Sequence, residues 1–167
     1  MGESPDRVYN TGALSLDNLE SFEWLTTQEL ESRIGIELSE PPLIITFHPV
    51  TLEKESTVRQ FEILLEVLGQ QSVPLIFTYP NADTNSRELI ELLETFVGSS
   101  EERVAVKNLG TQAYFSLLRE GKAMVGNSSS GIIEAGSFSL PVINIGNRQK
   151  GRIAGNNVIH CLSLIHI

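Results

Sequence analysis

Short apolar runs alternate along the chain with longer segments whose apolar residues recur every three or four positions. Most of the runs lack polar alternation, which is typical of strands that are covered on both faces, as in a parallel sheet. Five of them predict β-strands: residues 43–47, 73–79, 103–106, 122–126 and 141–146.

The segments between these runs predict amphipathic helices over residues 56–71, 85–98 and 111–121. Polar residues before each segment and glycines after two of them supply the expected caps and stops. These are Ser56 for the first helix, Asn85 or Ser86 with Gly98 for the second, and Thr111 with Gly121 for the third. The first forty residues are less regular, with one possible strand over residues 7–12 and one or two helices over residues 16–35.

The repeated order of strand and helix predicts an α/β fold, a Rossmann-like parallel sheet with helices on both faces and right-handed crossovers. Ligands of such sheets bind at the carboxyl ends of the strands, where the connecting loops open. The polar clusters all follow predicted strands: HPVT (48–51), YPNAD (79–83), NLGTQ (108–112), GNSSSG (126–131) and GNRQKGR (146–152).

Composition narrows the class of protein. A chain of 167 residues, 41% of them hydrophobic, suffices for one domain with a core. Its formal charge of -9, without long blocks of either sign, argues against a nucleic-acid or membrane-surface partner. The single Cys161 excludes an internal disulfide framework, and no stretch resembles a signal peptide or a spanning helix. We therefore expect a cytoplasmic protein.

The three serines of GNSSSG lie between a predicted strand and a predicted helix start near Ser130. Backbone N–H groups at a helix start favour phosphate, and the hydroxyl groups of Ser128 and Ser129 add donors. Glu134, one helical turn beyond Ser130, is placed to accept hydrogen bonds from ribose hydroxyls. The alternative is that the serines only cap the helix and Glu134 only complements its dipole. The residues alone give both interpretations equal weight.

Four further residues each have a functional and a structural interpretation. His48 is suited to donate to a phosphate or to act as acid or base, but it is equally suited to bond a backbone carbonyl. Asn81 contacts a ligand or only forms a turn. Arg148 binds a diphosphate or is merely solvated, and Tyr114 stacks on a base or belongs to the core.

Several sequence motifs are missing. There is no GxxxxGK[ST] loop and no GxGxxG after a strand, so neither NTP hydrolysis nor a dinucleotide cofactor is supported. No Cys or His cluster has metal-ligand spacing, and no GxSxG elbow is present. We expect no cofactor.

Five motifs together carry a resemblance to a known family. They are NTGALSLDNL (10–19), TFHPVT (46–51), YPNAD, GNSSSGIIEAGSF (126–138) and PVINIGNRQKGR (141–152). In this order they resemble the carboxyl-terminal half of UDP-N-acetylglucosamine 2-epimerases, over residues 7–159. The similarity is greatest to the hydrolysing branch that serves sialic and related nonulosonic acid synthesis. It favours the nucleotide-sugar interpretation of the serines.

The resemblance implies a two-domain fold of GT-B type, with UDP in the cleft between two Rossmann-like halves. It also implies a reaction that removes the sugar C2 proton, eliminates UDP and adds water to release N-acetylmannosamine, without a metal. The implied roles are an active-site histidine near the diphosphate for His48, a sugar-nucleotide contact for Asn81, diphosphate ligands for Ser128 and Ser129, a ribose acceptor for Glu134, a further substrate contact for Arg148 and a position near uracil for Tyr114.

The resemblance also implies domain boundaries. Residues 1–40 correspond to the interdomain segment and first elements of the carboxyl-terminal domain, and residues 41–159 to a truncated UDP-binding domain. The amino-terminal domain, with the groups for proton transfer at C2, is expected to lie outside this chain. Residues 160–167 (HCLSLIHI) do not resemble the family and are expected to be a non-native tail, so His160, Cys161 and His166 receive no function.

The chain is therefore expected to be a fragment that binds a UDP-sugar but is inactive alone. Its expected partner is the missing amino-terminal domain of the same enzyme, and the protein is also expected to be able to form a homo-oligomer. Two alternatives stay open: the donor-binding domain of a GT-B glycosyltransferase and a non-catalytic sugar-nucleotide-binding module. The sequence does not distinguish which sugar nucleotide is the substrate: UDP-N-acetylglucosamine, a bacillosamine-type relative or a GDP-linked relative.

Overall fold

The computed structural model describes residues 4–7, 9, 12–17, 19–50, 54–80 and 86–161, and it leaves the side chains of residues 5 and 54–56 undescribed. The predictions for Asn81 and for Asn85 as a helix cap lie outside the described residues.

Within the described ranges, six parallel strands form one sheet in the order β3-β2-β1-β4-β5-β6. This confirms the predicted Rossmann-like parallel sheet. All five predicted strands are present, each within its predicted range or matching it. The strands are β1 Leu43–Thr46, β2 Leu75–Thr78, β3 Arg103–Val106, β4 Ala123–Gly126, β5 Val142–Ile145 and β6 Val158–Cys161.

Strand β6 lies at the edge of the sheet and was not predicted. It pairs with β5, opposing Ile159 to Ile143 and His160 to Asn144. The Nδ2 of Asn144 lies 3.1 Å from the Nδ1 of His160. The sheet therefore continues two residues beyond the boundary expected at residue 159.

The part of the chain that the structure describes forms five α-helices, which cover the sheet: α1 Thr27–Ile34, α2 Lys54–Leu68, α3 Ser86–Val97, α4 Gly110–Glu120 and α5 Ser130–Ile133. Gly98 and Gly121 follow the last residues of α3 and α4, as predicted. Two predicted N-caps are wrong, and so is the Ser86 alternative for α3, because Ser86 is already the first residue of that helix. Helix α2 already includes Lys54, so Ser56 lies inside it. Helix α4 starts before Thr111, because the Oδ1 of Asn108 accepts the N–H of Gly110 at 2.9 Å and begins the turn earlier.

The described residues of the amino-terminal segment form α1 and three short 3₁₀ helices, Pro5–Arg7, Leu14–Leu16 and Leu19–Ser21. A capping box starts α1: Thr26 accepts the N–H of Glu29, whose carboxylate accepts the N–H of Thr26. The strand considered over residues 7–12 is absent from the described part of that range, since Arg7 ends a 3₁₀ helix and Tyr9 and Gly12 belong to no strand.

The core has a layer on each face of the sheet. Helices α2 and α3 pack on one face through Phe61, Leu65 and Leu93, against Phe77 of β2. Helices α1 and α4 pack on the other, where Leu30, Leu117 and Leu118 are fully buried. Burying each such side chain contributes roughly 1.5–3 kcal/mol to the free energy of folding.

Within the described residues, no helix is long and apolar enough to cross a membrane.

The order of the strands reverses between β1 and β4, because β2 and β3 extend the sheet on one side and β5 and β6 on the other. At this position the carboxyl ends of two adjacent strands open a crevice. Gly126 ends β4 at φ +139°, and a Cβ there would lie 2.0 Å from the carbonyl oxygen of Thr46. Glycine therefore lets β4 end directly against β1.

Candidate functional site

Asn127 joins the ends of β1 and β4. Its Oδ1 accepts the backbone N–H of His48 at 2.7 Å, and its Nδ2 donates to the carbonyl of His48 at 2.8 Å. The side chain is almost completely buried, at 1% exposure. These two bonds fix the peptide groups on both sides of the His48 Cα.

The loop after β5 is attached to the same residue. The backbone carbonyl of Asn127 accepts from Nη1 of Arg148 at 3.1 Å and from Nε2 of Gln149 at 2.8 Å. Gln149 is buried, and its Oε1 has no hydrogen-bond partner among the described residues. His48, Asn127 and Arg148 thus form one connected group at the carboxyl ends of β1, β4 and β5.

The serine turn, Ser128–Ser130, continues from Asn127 into α5. The backbone N–H of Ser130 donates to Oγ of Ser128 at 3.3 Å, and Ser129 precedes the helix without a side-chain cap bond. The predicted helix start at Ser130 is confirmed. The helix is a single turn, however, and a 3₁₀ helix at Ala135–Phe138 follows it.

Tyr114 of α4 reaches the serine turn. Its hydroxyl group donates to Oγ of Ser130 at 2.6 Å. Burial, together with the nearby Glu134 carboxylate, raises the pKa of Tyr114 to about 12. Tyr114 therefore stays protonated at neutral pH and remains a hydrogen-bond donor.

A cavity of about 410 Å³ opens beside Tyr114. Its walls come from the ends of β2 and β3, the start of α4 and the amino-terminal segment. The lining residues are Ser15, Thr78, Val106, Lys107, Asn108, Leu109, Gly110, Thr111, Tyr114, Phe115 and Glu134. Apolar and aromatic surface thus faces polar groups from Asn108 and Glu134, which is the usual make-up of a site for a small organic ligand.

Glu134 places a carboxylate in the wall of this cavity. Oγ of Ser15 donates to its Oε1 at 3.2 Å, across 119 residues of sequence. The other carboxylate oxygen has no such contact with Ser15, so the group retains acceptor capacity toward a ligand.

The predicted site residues fall into two neighbouring groups. Tyr114 and Glu134 line the cavity. His48, Ser128, Ser129 and Arg148 do not line it, and they follow the ends of β1, β4 and β5 instead. The bond from Tyr114 to Ser130 connects the two groups. Asn81 lies outside the described residues.

Sequence reasoning missed the bridging role of Asn127 and the contribution of Ser15. It identified the NLGTQ cluster at the end of β3 but assigned it no function, although its residues Asn108–Thr111 line the cavity. The described part of the chain contains no group of three or more His, Cys, Asp or Glu residues suited to hold a metal ion.

This strand order, with a ligand-sized cavity and a serine turn at the carboxyl ends of the strands, defines a Rossmann-like α/β domain with its candidate site where the strand order reverses. Comparison with known sequences specifies the family. The chain belongs to the UDP-N-acetylglucosamine 2-epimerase family, whose sequence profile matches residues 1–163.

Two curated relatives show how the chain compares in length. The GDP/UDP-N,N'-diacetylbacillosamine 2-epimerase (hydrolyzing) of Campylobacter jejuni is 38% identical over 161 residues, which are 95% of this chain and 42% of that protein. The UDP-N,N'-diacetylbacillosamine 2-epimerase (hydrolyzing) of Legionella pneumophila is 31% identical, with coverage of 95% and 42%. The chain therefore spans less than half the length of these relatives.

Solved structures share the fold. The UDP complex of Staphylococcus aureus MnaA superposes with a TM-score of 0.62 at 14% identity, covering 87% of this chain and 38% of that one. The Escherichia coli heptosyltransferase WaaC, bound to ADP-2-deoxy-2-fluoro heptose, gives a TM-score of 0.55 at 14% identity, covering 83% and 43%. The chain thus has the Rossmann-like half-fold of GT-B-type epimerases and glycosyltransferases.

Proposed function

We propose that this chain carries the UDP-binding half of a hydrolysing 2-epimerase that acts on a UDP-linked 2-acetamido sugar. The observation that carries the proposal is the cavity beside Tyr114, which has the Glu134 carboxylate in its wall and is joined by hydrogen bonding to the serine turn. This arrangement suits a ligand with a flat base, a ribose and a diphosphate, in that order.

The cavity suits the nucleoside part of UDP. The backbone of residues 107–110 and the side chain of Asn108 supply donors and acceptors for a base, while Phe115 and Tyr114 supply apolar surface. A carboxylate is an acceptor only, so Glu134 matches ribose hydroxyls, which donate.

The serine turn and Arg148 suit the diphosphate. The chain carries a net charge of -9, so an anionic ligand needs local donors such as the hydroxyls of Ser128 and Ser129 and the guanidinium of Arg148. In the proposed elimination UDP leaves with additional negative charge, and donors already held in place stabilise that charge without reorganising. His48, at the end of β1, acts as the acid or base next to the departing diphosphate.

The sugar-facing part of the reaction is assigned to the rest of a longer protein. The chain spans 42% of the Campylobacter jejuni and Legionella pneumophila relatives, and the proposed groups for proton transfer at C2 lie outside it. We therefore expect this chain alone to bind UDP and to release no N-acetylmannosamine. We also assign it to the cytoplasm, which supplies UDP-sugars and keeps its lone Cys161 reduced.

Titration of the ¹⁵N-labelled chain with UDP, UMP, uridine and GDP tests the proposal. UDP is expected to bind more tightly than UMP, and UMP more tightly than uridine, with shifts at residues 107–111 and 128–134. GDP is expected to bind more weakly than UDP. Absence of UDP binding, or perturbation confined to other surfaces, would refute the assignment. Incubation with UDP-N-acetylglucosamine checks the inactivity: measurable N-acetylmannosamine would contradict it.

A further inference from the structure

The side chain of Asn127 takes over where the backbone pairing of β1 and β4 stops. The last backbone bond between these strands runs from the N–H of Asn127 to the carbonyl of Thr46, at 3.0 Å. Beyond it the chain turns into α5, so the His48 peptide groups lose their strand neighbour. The carboxamide of Asn127 replaces that neighbour, accepting one His48 backbone bond and donating the other.

This substitution needs a side chain with both a donor and an acceptor at a short, fixed reach. Asparagine has both on one planar group, whereas aspartate lacks the donor when ionised and serine cannot form both bonds from one oxygen in this geometry. Because Asn127 is 1% exposed, water does not compete for these two bonds.

The backbone of the same residue holds the loop after β5. Its carbonyl accepts from Arg148 and from Gln149, and Gln149 is 2% exposed. One residue therefore bonds the β1 end through its side chain and the Arg148 loop through its carbonyl.

We infer that Asn127 is the positioning residue that fixes His48 and Arg148 relative to each other and to the serine turn. The inference rests on the proposed function, since it concerns residues assigned to the diphosphate. Asn127 itself contacts protein groups in the structure. Asn127 acts by restricting the conformations of His48 and Arg148, which face the ligand. Replacing Asn127 therefore weakens the binding of the diphosphate and leaves the nucleoside cavity intact.

Asn144 offers a matched control. It is also a buried asparagine, 2% exposed, and its side chain also bonds across neighbouring strands, to His160. It lies in β5 and does not contact His48, Arg148 or the serine turn through any bond described above. Replacing Asn144 removes a comparable buried carboxamide and leaves in place the hydrogen bonds that hold the residues proposed to bind the diphosphate.

The experiment compares Asn127→Ala, Asn127→Asp and Asn144→Ala in the full chain, with urea unfolding to confirm that each variant folds. Asn127→Asp keeps the shape and the acceptor for the His48 N–H, so it serves if the alanine variant does not fold. UDP and uridine affinities are measured by titration. Both Asn127 variants are expected to lose about tenfold or more in UDP affinity and to retain uridine affinity within about threefold. Asn144→Ala is expected to change neither.

A second readout is independent of nucleotide binding. The imidazole signals of His48 and the Nε–H signal of Arg148 are recorded by NMR in the free chain. They are expected to shift in the Asn127 variants and to stay in place in Asn144→Ala. Unchanged signals, an equal loss for uridine, or an equal loss in Asn144→Ala would overturn the inference. If the wild-type chain binds no UDP, the proposed function fails, while these signals still decide whether Asn127 positions the two residues.

Discussion

The hydroxyl group of Tyr114 donates a 2.6 Å hydrogen bond to Oγ of Ser130, and this bond connects the cavity to the turn that holds the serines. Tyr114 belongs to α4, which follows β3, while Ser130 begins α5, which follows β4. Two crossovers of the sheet therefore meet at one bond. A ligand that occupies the cavity is in this way linked to the groups proposed to bind its phosphates.

The burial of Tyr114 predicts a dependence of stability on pH. The pKa of Tyr114 is raised from 10.0 to about 12 in the folded chain, chiefly by burial. Above pH 10 the unfolded chain loses this proton while the folded chain retains it, so stability contributed by the protonated phenol is lost as the pH rises from 10 to about 12. We expect the free energy of unfolding to fall more steeply over this interval in wild type than in Tyr114→Phe. Urea unfolding at several pH values checks this, and parallel curves would contradict it.

Glu134 is predicted to recognise the ribose. Glu134→Ala should weaken UDP binding by about tenfold, as expected when a hydrogen bond to a charged acceptor is lost. The same change should have little effect on 2',3'-dideoxy-UDP, which lacks the hydroxyl groups that donate. Glu66→Ala, at an exposed glutamate of α2, is the matched control. Equal losses for both ligands would show that Glu134 acts on another part of the nucleotide.

Ser128 and Ser129 are predicted to bind the diphosphate. Replacing either with alanine should lower UDP affinity by about threefold to tenfold and leave uridine affinity unchanged, because each hydroxyl donates to phosphate alone. Isothermal titration calorimetry measures both ligands. Ser137→Ala, at an exposed serine of the following 3₁₀ helix, should change neither affinity. UDP affinities that stay at the wild-type value in both variants would rule out the proposed phosphate contacts.

Gly126 is predicted to be essential for stability. A Cβ at this position would lie 2.0 Å from the carbonyl oxygen of Thr46, and its φ of +139° is one that other residues rarely adopt. We expect Gly126→Ala to lower the free energy of unfolding by about 3 kcal/mol or more. Gly35→Ala is a control that distinguishes backbone strain from steric clash. Gly35 also has a positive φ, +85°, but an added Cβ there would meet nothing within 4 Å. That variant should lose about 1 kcal/mol. Similar losses at both positions would mean that the contact with Thr46 relaxes easily.

Apolar runs and helical periodicity predicted the sheet and most helices because burial on both faces leaves a strong pattern. The apolar pattern is weaker at the edge of the sheet, because half of the residues of β6 are exposed. For this reason β6 was not predicted. Helix starts were misplaced by one or two residues where a local bond overrides propensity, as Asn108 does for Gly110.

The candidate site was predictable only where a residue type suggests its own chemistry. Glu134, Tyr114 and the serines were identified in this way, and the first two line the cavity. Asn127 was not, because its bonds to His48 span 79 residues and depend on β1 lying beside β4. Strand order is set by long-range packing, which no local pattern encodes.

The two parts of the site also draw mainly on different strands of the sheet. The cavity is built largely from the ends of β2 and β3, whereas the Asn127 bonds lie between β1, β4 and the loop after β5. A substitution or insertion after β3 alters one wall of the cavity and leaves those bonds untouched. Under the proposed assignment, the wall that faces the base can therefore change in evolution without altering the bonds that hold the proposed phosphate-binding residues.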